Sequence, residues 1–367
     1  MESFIAFLED VPDPRAANAR HDLPEILFVA VVATLCDATS CAEMAQFCRS
    51  KLKLLRRLVR LENGAPSHDT FSRVLRLLDP QAFARAFAQF MAAYGGAARA
   101  GPPGTLAVDG KSLRRGYDKG RAHMPPLVVT VFSYDTRLVL AQAAAREGSE
   151  AKAALEALGL VSLKGATVTA DALHCTRAMT EAVRRGGADY VIALKGNQGR
   201  LAREAADTLQ AAAADPATPR ATRIDDGHGR RVERSALVVP FRQAQGPAAL
   251  KDLAAVARIE RARTLDGASS TTVHLYVLSR MMSPDEVLRT VQDHWSIENN
   301  QHWSLDVLFR EDEARTRKDN GPANLAVLRR LALNILRAGK DKLSLNLRRR
   351  KATWEEPYLL SLLSQMR

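Results

Sequence analysis

Two short apolar runs, each ending on an aspartate, constrain this chain more than any other feature. LAVDGK places Asp109 behind the run Thr105–Val108, and ATVTADALH places Asp171 behind Ala166–Ala170. Each run has the length and β-branched content of a buried strand. A carboxylate at the C-terminal end of such a strand projects from the sheet edge where α/β sheets put their active sites. Alone, either residue is an ordinary turn aspartate or helix cap. As a pair behind two buried strands they predict one polar site on one sheet.

The neighbouring segments fit that sheet. Leu127–Phe132 and Leu138–Ala143 flank a turn at Tyr134–Arg137 and read as a hairpin. Ala166–Ala170 leads into a helix through Arg184, Tyr190–Leu194 is a further strand, and Gln198–Ala214 a further helix. The fold class expected is therefore α/β, a mixed sheet flanked by helices. Residues 1–98 read as a helical N-terminal domain, with an apolar helix over Pro24–Cys36 and an amphipathic, basic stretch over Ala42–Leu61. In APSHDTFSRVLRLLD, Ser67 caps a helix that carries Arg73 and Arg76. A helix, a turn and a capped helix are the parts of a helix-turn-helix, so these two arginines are candidate DNA contacts. Gly95–Gly96 and Gly101–Gly104 predict a linker to a catalytic domain over 104–345. Within it, residues at about 218–280 alternate apolar and polar side chains and read as a β-rich insertion. Ser283, Pro284 and Glu286 form a helix start with a capping box, and the helix should continue, with a kink, through HWSIENNQHWSLDVLF. Residues 346–367 remain as a basic C-terminal tail.

Charge narrows the partner. Lys and Arg number 53 against 41 Asp and Glu, a net +12, which favours a polyanion. Arg337–Lys351 holds seven basic residues against one acid, either a solvated face or a phosphate contact. Cys36, Cys41, Cys48 and Cys175 form no CxxC pair, which argues against zinc and against a disulfide framework. The N-terminus is acidic with a short apolar run, unlike a secretory signal, and no run approaches the ~18 apolar residues of a membrane span. A cytoplasmic protein, nucleoid-associated when bound to DNA, is expected.

Two carboxylates on neighbouring strands suit Mg²⁺, a hard cation that takes few protein ligands and leaves room for phosphate and water. A third acid after residue 280 would complete the set. At about 100° per residue, Glu298 shares a mostly apolar helix face with His294, Trp295, His302, Leu305 and Phe309. It should therefore point towards the protein, where a carboxylate needs a partner. Asp306 is the reserve; Glu311 and Asp312 fall late. Lys111, Arg114 and Arg115 follow Asp109, and Lys195, Asn197 and Gln198 follow the next strand; both sets would surround the site and contact phosphates. His174 and Cys175 read as a small buried pair. Trp295 could stack on an unpaired base, and Trp303 is expected in the core.

The stretches FLEDVPDPR, PSHDTFSRVL, VDGKSLRR, TADALHC, GADYVIALKGNQ and HWSIENNQHWSLDVLFREDEAR run in order from Phe7 to beyond Arg315. With them the chain resembles the DDE transposases of bacterial insertion sequences, and most closely the ISAs group with its H-repeat-associated proteins. The resemblance implies an RNase H-like catalytic domain with Asp109, Asp171 and Glu298 as its catalytic and metal-binding acids. It implies two Mg²⁺ ions, with Mn²⁺ as a substitute, and metal-dependent cleavage at element ends followed by strand transfer. The implied partners are double-stranded DNA (transposon ends and target) and a second copy of the chain, as a homodimer on DNA. Where the wider family has Tyr, Arg and Lys around the third acid, this chain has Val291, His294 and Leu305. His294, His302, Arg310 and Arg315 are candidates for the missing cations. An RNase H-like nuclease without strand transfer, or a decayed DNA-binding protein, are the competing readings.

Overall fold

One mixed sheet organises the computed structural model, which describes residues 2–97, 104–116, 125–145, 148–227, 230–265 and 268–365. Its strands are β1 (Thr105–Ser112), β2 (Leu127–Ser133), β3 (Val139–Ala144), β4 (Thr167–Ala170), β5 (Asp189–Leu194), β6 (Arg220–Gly227), β7 (Arg230–Pro240), β8 (Ala255–Leu265) and β9 (Ala268–Leu278). The spatial order is β3-β2-β1-β4-β5-β9-β8-β7-β6. β1, β4 and β5 are parallel; every other pairing is antiparallel. The first five strands form the RNase H-like half that the resemblance implied. The expected β-rich insertion is real, but it is no separate appendage: β9 pairs with β5 from Val191↔Leu278 to Leu194↔Leu275, so the insertion lengthens the same sheet.

The helices, in chain order, are α1 (Glu2–Glu9), α2 (Leu23–Leu35), α3 (Cys41–Ser50), α4 (Leu52–Leu55), α5 (His68–Leu77), α6 (Pro80–Ala97), α7 (Glu150–Gly159), α8 (Arg177–Arg185), α9 (Gly199–Ala214), α10 (Pro284–Ile297), α11 (Trp303–Val307), α12 (Gly321–Ala338), α13 (Leu345–Trp354) and α14 (Glu356–Ser364). α7, α8 and α9 cover one sheet face, where Leu106, Val108, Val168, Tyr190 and Ile192 meet them. α10 crosses the other face, against Val191, Ala257 and Tyr276. The sequence pattern does not single out α7. Its start is a capped one, with Ser149 accepting from the Lys152 N–H.

The N-terminal helices do not stand alone. α2 is apolar all round and buried from Leu23 to Leu35 apart from Pro24 and Glu25. It packs against α12, and α1, α3, α5, α6, α12, α13 and α14 share one core with Ala107, Phe132 and Val139 of the sheet. Each Leu, Ile, Val or Phe fully buried there contributes about 1.5–3 kcal/mol. Three expectations are corrected here. Gly95–Gly96 lie within α6, so the linker does not begin there; Gly101, Pro102 and Pro103 fall outside the described residues. Arg56–Ser67 separates α4 from α5, so no short turn of a helix-turn-helix joins them, although Ser67 does cap α5 through the Thr70 N–H. The supposed basic tail is α13 and α14, packed into the core.

Three arginines of the basic run Arg337–Lys351 are structural. Arg349 lies 4.3 Å above the Phe309 ring and donates to the Leu308 and Thr34 carbonyls. Arg348 donates to Leu336 O and Asp341, and Arg337 to the Arg137 and Asn300 carbonyls. Their charge is spent on carbonyls and on the carboxylates of Asp341 and Asp37 rather than held out for phosphate.

Candidate active site

Strand parity decides which side chains meet. Ala107 faces the α10 side of the sheet and its neighbours Leu106 and Val108 face away, so Asp109 shares the α10 side. Val108 pairs with Ala170 across parallel strands, which puts Asp109 and Asp171 one step beyond the same rung. Thr169, of the same parity as Asp171, touches His294 of α10: its Oγ1 lies 3.0 Å from Nδ1. On β5, Val191 also faces α10, and Lys195 follows with that parity. The ends of three parallel strands thus deliver Asp109, Asp171 and Lys195 to one side. β1 itself runs on past Asp109 to Ser112, so this aspartate sits within a strand rather than after it.

α10 closes the cleft. Ser283 caps it by accepting from the Glu286 N–H; the Glu286 carboxylate turns instead to Arg280, so only half of the expected capping box forms. At Glu298 the helix changes to a π-helical turn, Glu298–His302, before α11. This is the kink foreseen in HWSIENNQHWSLDVLF, and its single-turn π form is common at functional sites. Gln301, fully buried, pins the turn to the sheet by donating to Thr130 Oγ1, and Thr130 is the β2 partner of Asp109. The wider turn rotates everything beyond it. His302 Nε2 comes to 3.5 Å from Asp109 Oδ2, while His294 Nε2, before the turn, lies 3.7 Å from Asp171 Oδ1. Each aspartate is thereby faced by one histidine.

The electrostatics differ between the two acids. Burial pushes the Asp109 carboxyl up to about 6; His294 opposes this and the charge of Asp171 adds to it. Asp171 is exposed and held below its ordinary value, first by the His294 imidazole beside it. Burial, reinforced by the Arg330 and Lys111 charges, pulls His302 down to about 4, so the imidazole is neutral and its approach to Asp109 is not an ion pair.

Glu298 lines the same cleft, about 260 Å³, as Asp109, Asp171, Lys195 and His294. It is exposed, not turned into an apolar face as the 100° count expected, and among the described residues nothing pairs with its carboxylate. The reserve acids are engaged elsewhere. Asp306 binds Lys111 Nζ at 2.8 Å, Asp312 binds the same ammonium at 3.0 Å and Arg114 at 3.2 Å, and Glu311 is buried against Arg330 at 2.9 Å. Among the described residues no three His, Cys, Asp or Glu side chains already stand as a ready metal cage.

Several expected phosphate contacts have other work. Lys111 is buried between its two carboxylates. Asn197 donates to Ala172 O and Gln198 to Cys175 O, so both brace the turn that follows Asp171. Arg76 is tied to Asp319 at 2.8 Å. Lys195, Arg73, Arg114 and Arg115 are exposed. Trp303, expected in the core, is 58% exposed, because the π turn swings it outward; Trp295 is also exposed and meets the His274 ring edge-on at 6.1 Å. Sequence reading missed His274 and Tyr276, which line the cleft from β9; only the pairing of β9 with β5 puts them there.

The profile described as "Transposase DDE domain" matches residues 100–335, and one described as "DDE_Tnp_1-associated" matches residues 5–91. The chain belongs to the transposase DDE domain family. It is 29% identical over 374 residues to the protein YbfL of Escherichia coli (strain K12), covering 99% of this chain and 98% of that one. The same figures hold for the "H repeat-associated putative transposase YhhI" of that organism. A protein encoded in the dhlA 3′ region of Xanthobacter autotrophicus is 37% identical over 229 residues, 61% of this chain and 76% of its own. Family membership makes the chain a transposase in general terms, a polynucleotidyl transferase or nuclease of a family that generally uses divalent metals. No helix among the described residues is long and apolar enough to cross a membrane.

Proposed function

We propose that this chain cuts DNA at the ends of an insertion sequence and transfers the freed strand to target DNA, with Asp109, Asp171 and Glu298 as its catalytic acids. The observation that carries the reading is the cleft where Asp109 and Asp171, beyond one rung of two parallel strands, meet Glu298 of the π turn. The donor set suits Mg²⁺ or Mn²⁺: all three are hard carboxylate oxygens. The buried Asp109 carboxyl is destabilised as an anion by burial and by Asp171, which a divalent cation would reverse. Asp109 and Asp171 would hold the ions from the sheet and Glu298 from the mouth. When bound, two ions would supply Lewis acidity to both oxygens of a phosphodiester displacement.

The protein's own residues do the positioning. His294, anchored through Nδ1 to Thr169, orients Asp171. His302, neutral and half-buried, packs 3.5 Å from Asp109 without adding charge. Lys195 offers an ammonium to a phosphate at the cleft. Arg73, exposed on α5, contacts element ends in this reading, and the chain acts as a homodimer on DNA.

The test uses the full chain with duplex element ends and Mg²⁺. Asp109→Asn, Asp171→Asn and Glu298→Gln should each abolish cleavage while leaving DNA binding within a few-fold. A cutting rate for Asp109→Asn comparable to wild type would refute the site. Wild-type nicking without joined product would leave a nuclease. Recognition by α5 is tested with Arg73→Ala on cognate and random duplexes. Removing residues before about 102 would not isolate recognition, because α1, α2, α3, α5 and α6 share the core of α12.

A further inference from the structure

The register of the insertion strands places arginines side by side. Arg223 of β6 pairs with Arg234 of β7, and Arg234 pairs with Arg261 of β8. Arg263 follows two residues along, on the same face and diagonal to Arg234. Parity fixes that face. Ala236, Ala257, Ile259 and Tyr276 of the same alternation pack against Val287, Leu288 and Val291 of α10, so the arginines emerge on the α10 side, just beyond the strip that the helix covers. Like charges directly opposed on neighbouring strands destabilise a sheet. Two of these charges have acidic partners: Asp285 binds Arg223 and Asp225 binds Arg234. The Nε of Arg263 is buried with no hydrogen-bond partner.

Between this row and α10 lies a groove of about 530 Å³, with Arg234 and Arg261 on one wall and Gln292 and Trp295 on the other. His274, Tyr276, Trp295 and Glu298 line both this groove and the cleft of Asp109 and Asp171, so the two are continuous. A polyanion reaching the carboxylates along this path would pass the arginine row.

We propose that the row Arg234, Arg261 and Arg263 is a backbone-binding track for DNA, which takes successive phosphates of the strand running from the cleft along α10. The inference rests on the proposed function, since it takes DNA as the substrate of that cleft. It assigns the insertion a role of its own: affinity without base preference, because guanidinium-to-phosphate contacts carry no sequence information.

The experiment compares wild type, Arg261→Gln/Arg263→Gln, the charge-keeping Arg261→Lys/Arg263→Lys, and Arg258→Gln on the opposite sheet face. Binding to a cognate and a random duplex is followed by fluorescence anisotropy at several salt concentrations, without divalent metal. On duplex DNA the slope of log K against log salt falls by about 0.9 for each phosphate that is no longer neutralised. The double glutamine variant should therefore show a slope shallower by roughly 1.8 on both duplexes, whereas the lysine pair and Arg258→Gln should stay near wild type. A second readout uses the unaltered chain: DNA should protect Arg261 and Arg263, but not Arg258, from phenylglyoxal, read by mass spectrometry. Unchanged slope and no selective protection would overturn the track while leaving the proposed function standing. A shallower slope on the cognate duplex alone would also overturn it, as base readout. A wild-type chain that binds neither duplex would overturn both.

Discussion

Glu311 gives the sharpest test of how charge is used inside this protein. Its side chain is fully buried, as is that of Arg330, which it meets at 2.9 Å; Arg329 lies 3.9 Å from the same oxygen and is 3% exposed. One carboxylate therefore balances two guanidiniums in the core beside the candidate site. Burial already pulls Arg329 down to about 10, against the pull of Glu311. Removing one member of a buried pair costs about 3–5 kcal/mol, because the other charge is stranded. Glu311→Ala strands two, so the upper part of that range is expected in equilibrium urea unfolding followed by tryptophan fluorescence. Arg330 keeps one acceptor, Ala326 O, which is no substitute for an anion. Pairing Glu311→Leu with Arg330→Met should recover only part of the deficit: the apolar pair no longer needs charge compensation, but Arg329 still lacks its carboxylate. Glu298→Ala, at an exposed carboxylate, should stay within about 0.5 kcal/mol of wild type while abolishing cleavage. A Glu311→Ala change below about 1 kcal/mol would refute the reasoning, and would mean that water or a rearranged core reaches these guanidiniums.

Other outcomes follow from the same packing. Asn324, fully buried, donates to the Leu75 and Leu78 carbonyls and ties α12 to the end of α5; Asn324→Leu should cost about 1–3 kcal/mol for the lost bond to Leu75 O, since Leu78 O keeps its bond from Asn320, measured in the same urea titration. Ser67→Ala removes the α5 cap and should cost about 1 kcal/mol. Burial pushes the Cys36 and Cys175 thiols up to about 12, so at pH 8 only about one in ten thousand is thiolate; iodoacetamide should label them slowly in native protein and readily in urea, and rapid native labelling at either would contradict their burial.

What the sequence disclosed depended on range. Asp171 was legible because a buried strand and the acid that follows it are a local pattern, and Asp109 was legible from the buried residues before it although β1 runs on past it. The start of α10 at Ser283 was legible for the same reason. Glu298 was placed on the right helix but given the wrong surroundings, because a count of 100° per residue fails across the π turn. Arg349 looked like part of a solvated run because its partners, Phe309, Leu308 O and Thr34 O, are remote in sequence. The continuity of the insertion with the main sheet depends on β9 meeting β5, about eighty residues away, and no local alternation specifies that register.

The shared core of α2 and α12 also sets a timetable. α2 has no polar side to turn towards water, yet the helix that covers it is encoded almost three hundred residues later. At about 5–20 residues per second, a ribosome needs tens of seconds to supply it. Throughout that interval the nascent N-terminal segment carries an uncovered apolar surface, a natural target for chaperones or proteases. A chain released early would never bury it. Supply of this protein to DNA should therefore be governed less by how often its message is translated than by how many nascent chains reach α12 before they are captured.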